Sequence, residues 1–409
     1  MGSSSKVNKE EVKKGILAEL GFSKASQVID SFRNRRVYFV KPLSLALSTA
    51  RVDPKTGLPG FPAGCIVEVA GGPGKGKSSC WENAVIEIQR DSPKNEVAVL
   101  QFEVFDNERF QNLANIGLDT ERVHMMDYSS ADMGLAETGL NNLLALAAHQ
   151  CKEDRDRDDP EIIACVIDSF GAMGVTKEIY QVNKQGKVTD ELKGVDVTPQ
   201  MAVRAQIITR FINQWITLDP NKRPQLWIIN HMKKQMGQED FSTMQLKPEK
   251  IGEDLNLTTL GGVGFIFHCD LRIRADARKW PPNKDAEVHP LFENKIQDGL
   301  EVFYEVYRNR YFPGKKMCKG ILDFSDRRNV RWDLEDEVVS YASYLEIDGI
   351  CMKGQGRVVF PKLGDSSYYA SKCCQYLRDN PDYMWELIRE IAKQPEKLFK
   401  VAKKAPEKL

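Results

Sequence analysis

Short runs of consecutive apolar residues alternate along the chain with longer stretches in which apolar residues recur every three or four positions. Continuous runs are typical of strands buried on both faces of a parallel sheet, and the longer period is typical of the helices that cover such a sheet. The runs are Cys65–Ala70, Val97–Glu103, Val123–Met126, Ile162–Asp168 and Gln225–Asn230. This pattern predicts an α/β protein with a mostly parallel sheet flanked by helices.

Helical periodicity follows several of these runs. One apolar helix face would be formed by Cys80, Trp81, Ala84, Val85 and Ile88 and would end before Pro93. Two further helices are predicted at Leu135–Ala148 and directly after Thr198-Pro199. Later strands are predicted at Phe265–Ile273, Val302–Phe312 and Met317–Phe324, and later helices at Glu337–Glu346, Ser366–Asp379 and Tyr383–Ile391.

The residues between the first strand and the first of these helices match a phosphate-binding loop. Gly71 through Ser78 satisfy G-x-x-x-x-G-K-[ST], in the strand–loop–helix order that lets backbone N–H groups surround a phosphate. Lys77 would reach the β- and γ-phosphates, and the hydroxyl of Ser78 would bind Mg²⁺. A Gly-rich turn with an exposed lysine is the alternative, but it does not account for both flanks. The sequence predicts nucleoside triphosphate binding through Gly71, Gly72, Pro73, Gly74, Lys75, Gly76, Lys77, Ser78 and Ser79.

Polar residues end the neighbouring strands, at the same edge of the predicted sheet. Asp168 ends one apolar run, where its carboxylate would orient the water shell of Mg²⁺ or cap a helix. Glu103 ends another and would orient the attacking water, or it is a solvent-exposed carboxylate. Asn230-His231 ends a third, where a polar side chain would sense the γ-phosphate or cap the chain.

Composition limits the classes of partner. Of 409 residues, 58 are basic and 58 acidic, so nucleic-acid contacts must come from local basic loops rather than from an overall positive field. The nine cysteines form no C-x-x-C pair, which argues against zinc and favours reduced thiols in an intracellular compartment. No apolar stretch is long enough to span a membrane, and the N-terminus lacks the apolar region of a signal peptide. A cytoplasmic protein is expected.

Taken in order, these motifs resemble the RecA family of homologous-recombination ATPases, and within it the bacteriophage UvsX-type recombinases. The resemblance runs from about Tyr38 to about Phe324. Besides the phosphate loop and Asn230-His231, it rests on the turn Gly117–Val123, the run IIACVIDSFGAMG around Asp168 and the element Thr258–Gly262. It implies an N-terminal helix and polymerisation arm at 1–60, a RecA-like P-loop ATPase core at 61–325, and a C-terminal helical region with a basic tail at 326–409. The arm around Tyr38–Val40 would lie against the next subunit, and the Asn230 strand would lie between the phosphate-loop strand and the Asp168 strand.

The resemblance also implies two DNA-binding loops, at about Lys177–Val197 and Met232–Thr259. Their lysines are available for phosphate contacts, and the apolar residues of the second loop suit insertion between bases. Gly261-Gly262, followed by a helix, would offer N–H groups to a phosphate. Without the resemblance, simple solvation of these lysines would be the preferred interpretation. The DNA-binding candidates are Lys184, Lys187, Lys193, Lys233, Lys234, Met236, Phe241, Met244, Lys247, Lys250, Gly261 and Gly262.

Members of the family complete the ATP site with two basic residues of the neighbouring subunit. Tyr307–Arg310 matches that segment, so the resemblance implies that Arg308 and Arg310 act in trans on the γ-phosphate. The alternative is a pair of exposed arginines on an alternating strand. The catalytic candidates are then Lys77, Glu103, Asp168, Arg308, Arg310 and His231, with Ser78 and Asp168 as the metal ligands.

Two positions depart from the family pattern. An ungapped alignment from Gly117 puts Phe105 where the family has its catalytic glutamate, so that the base is Glu103 or Asp106, or hydrolysis is slow. The aromatic residue that stacks on adenine maps near Asn112, with Phe110 as a substitute.

The implied function is ATP- and Mg²⁺-dependent strand exchange. A helical filament on single-stranded DNA would sample homologous duplex DNA, with single-strand-binding and loader proteins as accessory partners, in the cytoplasm of a phage-infected bacterium. A hexameric helicase of the same superfamily is one rival, although few residues precede Tyr38 for a scaffolding domain. A DNA-binding filament that uses ATP as a structural ligand and a small-molecule kinase are the others.

Overall fold

The computed structural model describes residues 30–102, 111, 113–126, 136–152, 161–170, 180–182, 188–192, 201–234, 257–259, 262–279, 299–312, 316–323, 331–364 and 366–401. The strands are β1 (Val37–Tyr38), β2 (Phe61–Pro62), β3 (Ile66–Gly71), β4 (Asn95–Gln101), β5 (Val123–Met125), β6 (Glu161–Asp168), β7 (Tyr180–Val182), β8 (Val188–Leu192), β9 (Gln225–Lys234), β10 (Leu257–Thr259), β11 (Leu271–Lys279), β12 (Gly299–Asn309), β13 (Lys316–Asp323), β14 (Arg331–Trp332), β15 (Cys351–Gly354), β16 (Arg357–Val359) and β17 (Ser367–Tyr369). The α-helices are α1 (Leu43–Leu47), α2 (Lys77–Asp91), α3 (Ala136–Gln150), α4 (Met201–Trp215), α5 (Gly262–His268), α6 (Leu334–Leu345), α7 (Ala370–Asp379), α8 (Pro381–Ala392) and α9 (Pro395–Val401).

A ten-stranded sheet organises the fold. Its strand order is β14-β13-β12-β11-β3-β9-β6-β4-β5, with β10 paired to β9. The strands from β11 to β5 run parallel, and β12 to β14 add an antiparallel edge. The predicted mixed α/β architecture with a mostly parallel sheet is confirmed. So is the position of the Asn230 strand, β9, between β3 and β6.

Successive side chains of the central strands point alternately into two apolar layers, one on each face of the sheet. Val67 and Val69 of β3 face the cluster that contains the inner side of α2, whereas Ile66 faces the cluster that contains α3 and α4. Both clusters include residues that are completely buried. Because each face of β3 carries helices, its side chains are enclosed on both sides, as its continuous apolar sequence predicts.

The segment from Val37 to Val40 is buried within its own chain. Val37 and Tyr38 pair with Pro62 and Phe61, and the Phe39 and Val40 side chains are 5% and 0% exposed. Phe39 also packs edge-on against Trp385, with ring centroids 5.3 Å apart. The expected contact of the residues around Tyr38–Val40 with a neighbouring subunit stays a prediction. Their apolar side chains contribute to the core.

One predicted strand is wrong in part. The sequence predicted a strand at Phe265–Ile273, but Phe265 lies in α5 and the strand begins at Leu271. A short apolar run does not distinguish a buried helix from a buried strand. Phe265 packs against Phe170 with ring centroids 5.6 Å apart, which places α5 over the sheet rather than within it.

Residues 334–364 and 366–401 combine helices with three short strands, whereas the sequence predicted a helical region there. The strands β15, β16 and β17 make an antiparallel sheet, beside α6, α7 and α8. Ser367–Tyr369 is a strand at the start of the predicted Ser366–Asp379 helix, which begins at Ala370. No helix in the described part of the chain is long and apolar enough to span a membrane.

Candidate functional site

The predicted phosphate loop lies between β3 and α2 and contains two glycines with positive φ angles. Gly74 and Gly76 have φ angles of 66° and 77°, which are left-handed values that favour glycine. A Cβ at Gly76 would also lie 2.9 Å from a methyl group of Val302. The Tyr304 hydroxyl donates a hydrogen bond to the Gly76 carbonyl at 2.8 Å. Burial raises the pKa of Tyr304, so this hydroxyl keeps its proton and remains a donor.

Two lysines of this loop have different surroundings. Lys77 is 7% exposed, and its Nζ donates to the Gly72 carbonyl across the loop at 2.7 Å. Lys75 points to β11, where its Nζ lies 2.8 Å from both the Asp276 carboxylate and the Ala277 carbonyl. Lys77 therefore lies within the loop, while Lys75 connects the loop to the end of the adjacent strand.

Asp168 is fixed at the carboxyl end of β6. It is 2% exposed, and its Oδ2 accepts a hydrogen bond from the Trp81 indole at 2.9 Å. Its carbonyl accepts from the Phe102 N–H at 2.7 Å, which ties the residue after β4 to the end of β6. The peptide bond between Asp168 and Ser169 is cis, and the Ser169 hydroxyl lies 3.2 Å from His231 Nε2.

Asn230 and His231 lie within β9, beside the end of β3, and have different environments. Asn230 is 0% exposed; its amide donates to Glu68 at 2.9 Å, and its Oδ1 accepts from the His231 N–H at 2.9 Å. β9 continues past both residues to Lys234, so the strand does not end at Asn230 as the sequence predicted. His231 is partly exposed beside Ser169, at the edge where the phosphate loop begins.

A buried polar network, which sequence reasoning missed, lies behind this edge. Glu68 is 0% exposed and pairs with Arg272 at 2.5 Å, and the Tyr307 hydroxyl lies 3.5 Å from the same carboxylate. Burial alone would lower the pKa of the Arg272 guanidinium, but attraction to Glu68 and Tyr307 gives a net increase. The signal was a glutamate inside an otherwise apolar run, because buried charges are nearly always paired.

Arg308 and Arg310 lie at the opposite ends of the strands from the phosphate loop. Along β11, Ala275 pairs with both Gly71 and Tyr304, whereas Arg272 pairs with Glu68 and Arg308. Three residues of strand separate these levels, which is about 10 Å at the usual rise of a strand, and Arg310 lies two residues beyond Arg308. Within one chain, the two arginines are therefore not part of the site around the phosphate loop.

The two arginines cover the C-terminal end of α5. Arg308 donates to the Ile266 and Phe267 carbonyls at 2.6 and 3.1 Å, and Arg310 donates to the Phe267 carbonyl. Burial, and then the neighbouring Arg310, lower the pKa of Arg308. The Phe267 ring beside them is 58% exposed, with the Arg308 guanidinium carbon 5.8 Å from its centroid. This edge therefore combines two cations with an exposed aromatic ring.

Most of the predicted DNA-binding residues lie outside the described residues, as does Glu103. These are Lys184, Lys187, Lys193, Met236, Phe241, Met244, Lys247, Lys250 and Gly261. The described parts of the two predicted loops are more regular than expected. β7 pairs with β8 on either side of residues 183–187, and the extension of β9 to Lys233 and Lys234 pairs with β10. The sequence predicted that a helix follows Gly261-Gly262, and α5 begins at Gly262.

The donors at the β3–β9–β6 edge suit a nucleotide and a hard cation. An ammonium group, the N-terminal N–H groups of α2, a hydroxyl at Ser78 and a carboxylate at Asp168 are the groups that bind phosphate and Mg²⁺ in proteins. No known protein family matches the chain, and no curated protein is similar to it. The candidate site therefore stands on its own geometry and chemistry.

Proposed function

We propose that this protein is an ATP-dependent DNA recombinase of the RecA type, which assembles into filaments on single-stranded DNA and promotes homologous pairing. One observation carries the proposal. A phosphate loop and Asp168 share one edge of the sheet, while the two arginines matched to the family's trans-acting cations lie at the opposite edge. This arrangement supports an ATP site that two copies would form together, one with its loop and the other with its arginines.

The residues at the loop edge divide the work of binding and orientation. Lys77 and the N-terminus of α2 would hold the β- and γ-phosphates, and Ser78 and Asp168 would hold Mg²⁺ and its water. When bound, Mg²⁺ supplies charge neutralisation at the phosphates. His231, whose Nε2 lies 3.2 Å from the Ser169 hydroxyl, would respond to the γ-phosphate. Glu103, which follows Phe102, remains the proposed base that orients the attacking water.

Arg308 and Arg310 would complete the site of an adjacent copy. Their guanidinium groups would stabilise the charge of the phosphoryl transition state, as an arginine finger does. Hydrolysis would then require assembly, because a single chain holds the cations about 10 Å of strand or more away from its own loop. The DNA partner is proposed to bind the segments around β7–β8 and beyond β9, where the sequence places the candidate DNA-binding lysines.

The first test is ATP hydrolysis with and without single-stranded DNA. The proposal predicts strong stimulation by DNA, and its loss in both Lys77→Ala and Arg308→Ala. Mixing the two inactive variants provides the sharper experiment. Arg308→Ala retains an intact loop and Lys77→Ala retains intact arginines, so mixed assemblies contain some complete sites and recover part of the activity. A mixture as inactive as its components would contradict action in trans.

Other outcomes identify the rivals. ATP-dependent DNA binding without turnover would favour a filament that uses ATP as a structural ligand. Unwinding of duplex DNA by a closed ring would favour the helicase. Hydrolysis unaffected by DNA would reject both DNA-dependent functions and return attention to a small-molecule kinase.

A further inference from the structure

The contact between Trp81 and Asp168 connects two parts of the candidate site. Trp81 lies on α2, in the first turns of the helix that begins at Lys77, and Asp168 ends β6. The indole Nε1 is 2.9 Å from Asp168 Oδ2, and both residues are only 2% exposed. A buried carboxylate requires compensating donors, and a hydrogen bond to a charged group is stronger than one between neutral groups.

The position of Trp81 on α2 places it near Ser78. Residues three apart on a helix are neighbours on its surface, so Ser78 and Trp81 lie on the same side of α2. Trp81 bonds Asp168, and Ser78 is the other predicted metal ligand. Ser78 therefore lies about one turn before the residue whose indole bonds to the end of β6.

We propose that Trp81 is a positioning residue for the metal site: its indole N–H fixes the Asp168 carboxylate relative to Ser78, so that the two bind Mg²⁺ with little rearrangement. The inference rests on the proposed nucleotide site. Hydrogen bonds to metal-binding side chains hold them in the orientation that binding requires, and their removal typically weakens metal affinity about 10- to 100-fold. Aromatic packing alone would need no donor at this position, and phenylalanine would serve equally well.

The test compares Trp81→Phe, which keeps the ring but removes the N–H, with the wild-type protein. Binding of Mn²⁺ in the presence of saturating ADP is measured by electron paramagnetic resonance, and binding of ADP in EDTA by calorimetry. Trp81→Phe is expected to weaken Mn²⁺ binding about 10- to 100-fold and to change metal-free ADP binding by less than about 2-fold. Trp81→His, which keeps a ring N–H donor, is expected to recover part of the affinity.

Trp227→Phe is the matched control. Trp227 is 0% exposed, and its indole donates to Gln225 at 3.1 Å, away from the candidate metal ligands. This variant also loses a buried indole hydrogen bond, but its Mn²⁺ affinity is expected to equal that of the wild type. A folded Trp81→Phe protein with wild-type Mn²⁺ affinity would overturn the proposal.

A measurement on the unmodified chain covers the case in which the Trp81 variants do not fold. The chain has six tryptophans, so its ¹⁵N-indole spectrum contains six N–H signals. Addition of Mg²⁺ to the ADP complex is expected to shift at least one of them, and a spectrum without any shift would overturn the proposal. If the wild-type protein binds neither ADP nor Mn²⁺ with ADP, the proposed function itself fails. Normal wild-type binding with an unaffected Trp81→Phe variant rejects only the role of Trp81.

Discussion

Replacing Arg272 by methionine would leave the Glu68 carboxylate buried without its main counter-charge. Glu68 is 0% exposed and Arg272 8% exposed, and their charged groups are 2.5 Å apart. Removal of one partner from a buried ion pair typically costs about 3–5 kcal/mol, because the remaining charge stays out of water. The hydrogen bond from Asn230, at 2.9 Å, supplies only a neutral donor and does not replace the guanidinium. We therefore expect Arg272→Met to lower the free energy of unfolding by about 3–5 kcal/mol.

The double variant separates the charge effect from packing. Glu68→Gln with Arg272→Met removes both charges, so the large penalty should not remain, and the two single effects should sum to more than the double effect. Lys393→Met is the control for an exposed pair: Lys393 lies 2.5 Å from Glu390, but both side chains are about half-exposed or more. Its loss is expected to cost about 1 kcal/mol or less.

Urea unfolding followed by far-ultraviolet circular dichroism measures these differences. The reasoning would be refuted if Arg272→Met cost no more than the exposed control, or if the two single variants were additive in the double variant. Additivity would mean that Glu68 and Arg272 stabilise the sheet independently and that their pairing contributes nothing beyond packing.

Three further predictions concern single side chains. The Glu337 carboxylate accepts the Ser44 N–H at 2.9 Å, and burial raises the pKa of Glu337 from 4.5 to about 8. Because the folded state then binds the proton more tightly, the stability that Glu337 contributes below about pH 4.5 should be lost as pH rises to about 8. Glu337→Gln should reduce the dependence of the free energy of unfolding on pH, measured by unfolding at several pH values. Gly76→Ala should abolish ATP binding, measured by calorimetry, since its Cβ would meet Val302 at 2.9 Å and its φ of 77° disfavours alanine; normal binding would contradict the geometry. Tyr304→Phe removes the donor to the Gly76 carbonyl and should weaken ATP binding about 3- to 10-fold, with unchanged affinity as the contrary result.

The sequence predicts the central sheet well because its strands are continuous apolar runs and its loop has a specific pattern. β3, β6 and β9 were placed correctly for that reason, and so was the helix that follows the loop. The strands β15 to β17 escaped prediction because they are only three or four residues long and mix polar with apolar side chains. Phe265 was assigned to a strand because local composition carries no information on which layer of the fold a short apolar segment will join.

The contacts that shape the candidate site come from pairings distant in sequence. Glu68 meets Arg272, and Trp81 meets Asp168, over separations of 204 and 87 residues. An apolar helix face predicts that Trp81 is buried, but not which acceptor its N–H will reach. Such pairs are determined by strand order, which becomes known only when the sheet is assembled.

The placement of the phosphate loop and of Arg308 and Arg310 at opposite ends of the strands allows copies to associate head to tail, with the loop of one copy against the arginines of the next. Such an assembly has a polarity and generates rings or open helical arrays. In an open array, one terminal copy exposes a loop without arginines and the other exposes arginines without a loop. The two ends are then chemically distinct, and growth and loss of copies need not proceed equally at both. The fraction of complete sites also increases with array length, so that activity per copy would itself report how long the arrays have become.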